Sequence, residues 1–106
     1  MHIVILITAS GRKEAEKIAA GLVEGKLAAC VNIIGGVKSF FWWQGRLDSA
    51  REMLLVVKSR RSKLNAIVKK VKSLHSYEVP EIIALPIIGG EKKYLRWIDG
   101  SLEAKR

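Results

Sequence analysis

The stretch "KLAACVNIIGGVKSFFWWQGRLDSAREMLLVVK", residues 26–58, decides the fold. Apolar residues recur in both of its arms, "CVNII" and "FFWW" in the first and "MLLVV" in the second, and "QGR" at 44–46 breaks it in the middle. Gly45 can supply a positive φ there, so the segment is predicted to be a β-hairpin. One arm runs from Ala28 to Trp43, interrupted by a bulge or kink at Gly35-Gly36. The other returns over Leu47–Lys58. Fully extended, the first arm would span about 50 Å at roughly 3.3 Å per residue. A folded chain of this size has a radius of gyration of about 13 Å, so the hairpin tip has to bend back or project. That tip carries Phe40, Phe41, Trp42 and Trp43 in a row. Successive strand residues face opposite ways, so one packing surface cannot bury all four. Each buried aromatic side chain is worth roughly 2–3 kcal/mol, and a projecting patch of this kind marks a contact surface.

Before the hairpin, His2–Ile7 is predicted as a strand. A helix follows, capped by Thr8 or Ser10. Ala15, Ile18, Ala19, Leu22 and Val23 form its apolar stripe, and Gly25 is its stop, taken in the left-handed conformation. After the hairpin, Ser59 or Ser62 is the cap for a second helix with Leu64, Ile67, Val68, Val71 and Leu74 on its buried face. Glu81–Ile88 is a fourth strand, placed at an edge or a bulge by Pro86, which has no N–H for a ladder. Glu91–Ile98 reads as a short last helix ended by Asp99-Gly100. The order βαββαβ plus a terminal helix predicts one α+β domain over residues 1–106, a ferredoxin-like sandwich with a long β2–β3 hairpin. Right-handed crossovers put both main helices on one sheet face. The strands "IVILI", "MLLVV" and "IIALPII" do not alternate, so their second face also needs cover. The simplest cover is other copies of the chain in a closed homo-oligomer.

Nineteen Lys and Arg stand against ten Asp and Glu, a net charge of +9. Lys58, Arg60, Arg61, Lys63, Lys69, Lys70 and Lys72 offer phosphates a non-specific contact, and a basic RNA- or phosphate-binding module is the rival functional reading. The third strand lacks the glycine and aromatic pattern that RNA-recognition sheets use for stacking, which favours a solvated helix face and no specific nucleic acid. Cys30 is the single cysteine, read as a small buried thiol. No disulfide can form within the chain, and a cytoplasmic setting is the expectation. "MHIVILITAS" lacks the basic start of a signal peptide, and no segment has the length of a membrane span. Two histidines and one cysteine supply no Ser-His-Asp or Cys-His constellation. No P-loop or dinucleotide fingerprint occurs, so no enzyme is expected.

"LHSYEVPEIIALPI", residues 74–87, holds the candidate metal ligands His75 and Glu78. Imidazole and carboxylate suit copper(II) or another divalent cation. A histidine closing a helix also has a plainer role, beside the negative end of the helix dipole. Lys58, Tyr77, Tyr94 and Trp97 are the candidate lining of a ligand cleft between subunits, with Glu78 beside them, a mixed polar and aromatic set of the kind pockets favour.

"KLAACVNII" at 26–34, "WWQGRL" at 42–47, "HSYEVPEIIALPI" at 75–87 and "YLRWI" at 94–98 resemble the CutA family of divalent-cation-tolerance proteins, and the resemblance covers nearly the whole chain. It implies a homotrimer of ferredoxin-like subunits joined at their strand edges, similar in architecture to the PII signalling proteins. It also implies a link to copper tolerance and binding of divalent metal ions, with no established catalysis; no membrane partner is expected, since no segment has the length of a span. The chain departs from the family's pattern at Ser76 and Gly35, where prolines are usual, and in "ILITAS", which has no cysteine.

Overall fold

The hairpin forms around two backbone irregularities. Gln44 and Gly45 have φ of 51° and 75°, the paired positive values of a type I′ turn, whose twist matches that of the strands it joins. Within the first arm Gly35 and Gly36 face only Met53, because Ile34 pairs with Leu54 and Val37 with Glu52. Gly36 has φ of 74°, so the extra residue of this bulge sits where a side chain is disfavoured. The computed structural model describes residues 1–103. Its elements are β1 (His2–Ala9), α1 (Arg12–Glu24), β2 (Cys30–Trp43), β3 (Arg46–Arg60), a 3-10 turn (Arg61–Lys63), α2 (Leu64–Leu74), β4 (Ile82–Pro86) and α3 (Lys92–Leu102).

The sheet order is β2-β3-β1-β4 with every pair antiparallel. This is the ferredoxin-like α+β arrangement the sequence predicts. β4 is an edge strand, and Pro86 closes it. Ile3, Ile5 and Ile7 of β1 and Leu55 and Val57 of β3 point to one side. There they are buried against Ala15, Ile18 and Leu22 of α1 and Ile67 and Val71 of α2.

The cross-strand register puts Val4, Leu6, Ile34, Leu54, Val56, Ile83 and Leu85 on the opposite side. Ile83 keeps 51% of its surface exposed, and Ile34 and Leu85 are similarly open. Only one end of this face is covered, by α3, which buries Ile98 and Leu102. The hairpin projects: the molecule is 46 Å along its longest axis, with a radius of gyration of 14.4 Å. Phe40 and Trp42 at the tip are 69% and 75% exposed.

Several local expectations are corrected. Neither Thr8 nor Ser10 caps α1. Its N-cap is Gly11, and Ser10 instead donates its N–H and hydroxyl to Glu14 in the first turn. The stop of α1 is a Schellman motif with hydrogen bonds from Leu27 N–H to the Leu22 carbonyl and Lys26 N–H to the Val23 carbonyl. Lys26, at φ 60°, takes the left-handed position, while Gly25 has φ of −80°. Ser59 is buried and donates to the Leu27 carbonyl at 2.6 Å. Ser62 lies within the 3-10 turn, so α2 starts uncapped after Lys63. β3 is longer than Leu47–Lys58 at both ends, and β4 is shorter than Glu81–Ile88. α3 runs through Asp99-Gly100 rather than ending there, because Ile98 and Leu102 continue its apolar stripe. Asp99 is engaged sideways by Arg60 at 2.6 Å and His2 at 2.9 Å. Cys30 is half-buried at the start of β2 rather than enclosed in the core.

Candidate functional site

Three polar regions hold the candidate residues. The first is the joint after α2. His75 ends that helix, and its side chain is fully enclosed. Its Nε2–H donates to the Thr8 carbonyl at 2.7 Å, and its Nδ1 accepts from the Tyr77 N–H at 3.0 Å. Both ring nitrogens are therefore engaged in holding the turn to the end of β1. Glu14 lies 3.9 Å from Nδ1. Burial works to raise its carboxyl, but hydrogen bonds from Ser10 and Ser76 prevail and hold the pKa down at about 2. The Tyr77 ring packs 4.8 Å from the His75 ring, and its hydroxyl donates to Glu52 at 2.9 Å. Burial first, and then the Glu52 carboxylate, push the Tyr77 hydroxyl up to about 12.

The second region is an open groove of about 820 Å³ between this joint and the projecting hairpin. Trp42, Phe40 and Tyr77 form aromatic parts of its wall, and Asp48, Glu78 and Glu81 supply carboxylates. Glu78 is exposed, so it and His75 differ in access although they are three residues apart. Among the described residues, no three His, Cys, Asp or Glu side chains converge as a metal-binding group.

The third region lies toward the other end of the sheet. Lys58 is directly across from Cys30 in the β2–β3 ladder. Its ammonium donates to Asn32 Oδ1, and the Cys30 thiol lies 3.9 Å from the same oxygen. Tyr94 comes from α3 and meets Cys30. Burial and then that contact raise the Tyr94 hydroxyl above its ordinary range. Trp97, one turn on, stacks at a tilt with Tyr94, ring centroids 5.4 Å apart.

Lys58, Tyr94 and Trp97 thus belong together, and Tyr77 does not join them within one chain. Its partner Glu52 is six strand residues from Lys58, about 20 Å along β3. Cys30 and Asn32 are site residues that sequence reading missed. Their spacing already put them on one face, since residues two apart on a strand share a face, but only the register puts Lys58 across from Cys30.

A profile of the family described as "CutA1 divalent ion tolerance protein" matches residues 3–101. The chain belongs to the CutA1 family. It is 50% identical over 103 residues to the divalent-cation tolerance protein CutA of Archaeoglobus fulgidus, covering 97% of this chain and all of that one. The solved structure of that protein, described as periplasmic, superposes with a TM-score of 0.94. The CutA1 protein of Thermus thermophilus, 46% identical, superposes at 0.91 over 92% of this chain and 95% of its own. Similarity extends to a chloroplastic CutA of Oryza sativa, 44% identical over 99 residues. These are 93% of this chain and 56% of the rice protein, so the chain spans only about half of that relative. The family is described by divalent ion tolerance. No helix of the described residues is long and apolar enough to cross a membrane.

Proposed function

We propose that this CutA1 chain acts in divalent-cation tolerance as a homotrimer whose subunits cover one another's open sheet faces. The observation that carries the reading is the half-exposed Ile34 on one edge strand and Ile83 and Leu85 on the other, on a sheet face that α3 covers only at one end. The projecting Phe40 and Trp42 supply a second apolar surface for a neighbour. Cations are taken up at a boundary between copies, copper(II) foremost among them. One chain offers no converging set of three ligands among its described residues, so a neighbour completes the coordination.

Glu78 is one of the carboxylates that line the open groove, and it is exposed there. His75 joins it only where Nδ1 releases the Tyr77 N–H. Lys58, Tyr94 and Trp97 line a separate place for a small ligand, to which Tyr77 of a neighbouring copy can be added. The chain is read as cytoplasmic, since its one cysteine is free. Its relatives are described in other compartments. The family name records tolerance and not a reaction, and none is assigned.

Calorimetric titration with copper(II) tests the cation part. Glu78→Ala is expected to weaken binding at least tenfold, and His75→Ala by a smaller factor. Unchanged affinity in both variants removes this pair from the site.

A further inference from the structure

The sheet end under α3 carries two cations with different surroundings. Arg60 is neutralised by Asp99 at 2.6 Å, and His2 shares that carboxylate. Hydrogen bonding from Arg60 is the main influence holding Asp99 below the usual carboxylate range, which marks it as a charged partner. Lys58, two residues earlier on the same face, has no carboxylate within ion-pair distance among the described residues. Its ladder partners are Cys30 and Val4, and Val4 pairs on to Leu85. Lys58 is half-buried as a residue, and its ammonium is bonded to Asn32 at the surface with no carboxylate beside it to balance the charge.

The neighbouring side chains add hydrogen-bond donors to this charge. An ammonium has no acceptor, so Asn32 presents Oδ1 to Lys58 and leaves its NH₂ free to donate elsewhere. The Cys30 thiol lies against the same Oδ1. Tyr94 keeps its proton at neutral pH and can donate it. Trp97 and Tyr94 are both partly exposed and form an aromatic wall beside these donors. Donors without a carboxylate oppose a divalent cation here and suit an oxyanion. One formal charge matches a monoanion, and a flat aromatic wall matches a flat body.

We propose that Lys58, Asn32 and Tyr94 receive the carboxylate of a small aromatic monoacid whose ring lies along Trp97. This deepens the ligand-cleft reading made above and names the ligand class. The site is distinct from the acidic groove near Glu78: one end of the sheet takes an anion and the other presents carboxylates.

Calorimetric titration of the full chain with benzoate, benzamidine and inorganic phosphate tests the assignment. Benzamidine keeps the ring and reverses the charge, and phosphate keeps an oxyanion without the ring. The parent is expected to bind benzoate saturably and neither of the others comparably. Lys58→Met is expected to weaken benzoate at least tenfold, and Tyr94→Phe several-fold. Tyr94→Phe keeps the ring and the fold, so it serves if Lys58→Met does not fold. Equal binding of benzamidine, no benzoate binding by natively assembled parent, or unchanged affinity in either folded variant overturns the proposal. Particle mass and copper(II) affinity are measured on the same samples. Loss of the trimer or of copper binding with benzoate retained contradicts the proposed function but not this site. Loss of benzoate alone contradicts the site but not the trimer or cation uptake.

Discussion

The two faces of one sheet show how differently the same kind of residue can be used. On the helix side, Ile5, Ile7, Leu55 and Val57 are fully buried within a single chain. On the other side, Ile34, Ile83 and Leu85 are as apolar, yet about half of each stays in contact with water. A single chain completes only the first of these cores. The contrast makes the helix side responsible for the fold of one copy, and in the proposed trimer the open side serves association.

Mutations separate the two roles. The largest effect is expected from Leu55→Ala, where truncation leaves a cavity between β3 and the helices. It should destabilise by about 2–5 kcal/mol, read by urea denaturation. Leu85→Lys on the open face should leave far-ultraviolet circular dichroism intact and reduce the particle mass to that of one chain. If Leu85→Lys unfolds the chain instead, the open face contributes to the fold of one copy and the contrast fails.

The joint that ties the ends of the helix side together comes next. Glu14 accepts hydrogen bonds from Ser10 and Ser76, so Glu14→Gln is expected to lose about 2 kcal/mol at pH 7. The folded pKa is depressed to about 2 from an ordinary 4.5. This stabilisation is therefore present above pH 4.5 and lost as the pH falls towards 2. Parent and variant stabilities should converge across that window, measured by denaturation at each pH. A difference that stays constant would assign the loss to packing.

In the hairpin, Gly36→Val has room for its side chain but forces it onto a φ of 74°. A loss of about 1–2 kcal/mol is expected. The smallest effect belongs to Ser62→Ala, expected within about 0.5 kcal/mol, because this serine caps nothing. A larger loss would restore it as a cap.

The fold was legible because hydrophobic period and glycine placement are local. The stripes of α1 and α2, the Gly35-Gly36 bulge and the turn at Gly45 all follow from neighbours in sequence. Caps were less so. Ser10 and Ser59 had the right chemistry for capping, but Glu14 and the Leu27 carbonyl compete for them, and Leu27 is distant in sequence from Ser59. Asp99-Gly100 read as a stop, but Arg60 and His2 hold the aspartate from across the sheet. The candidate site was legible by residue type only. Lys58, Tyr94 and Trp97 come together, while Tyr77 stands apart and His75 turns both nitrogens inward, since orientation depends on contacts between β1, β3 and α3. Asn32 shares a strand face with Cys30 by spacing alone, but only the pairing of β2 with β3 brings the Lys58 side chain to it.

Sedimentation equilibrium of the parent chain at micromolar concentration tests most directly whether the open sheet face is an interface. A species of three times the 11.8 kDa of one chain is expected. A compact particle of 11.8 kDa that persists on raising the concentration would contradict it.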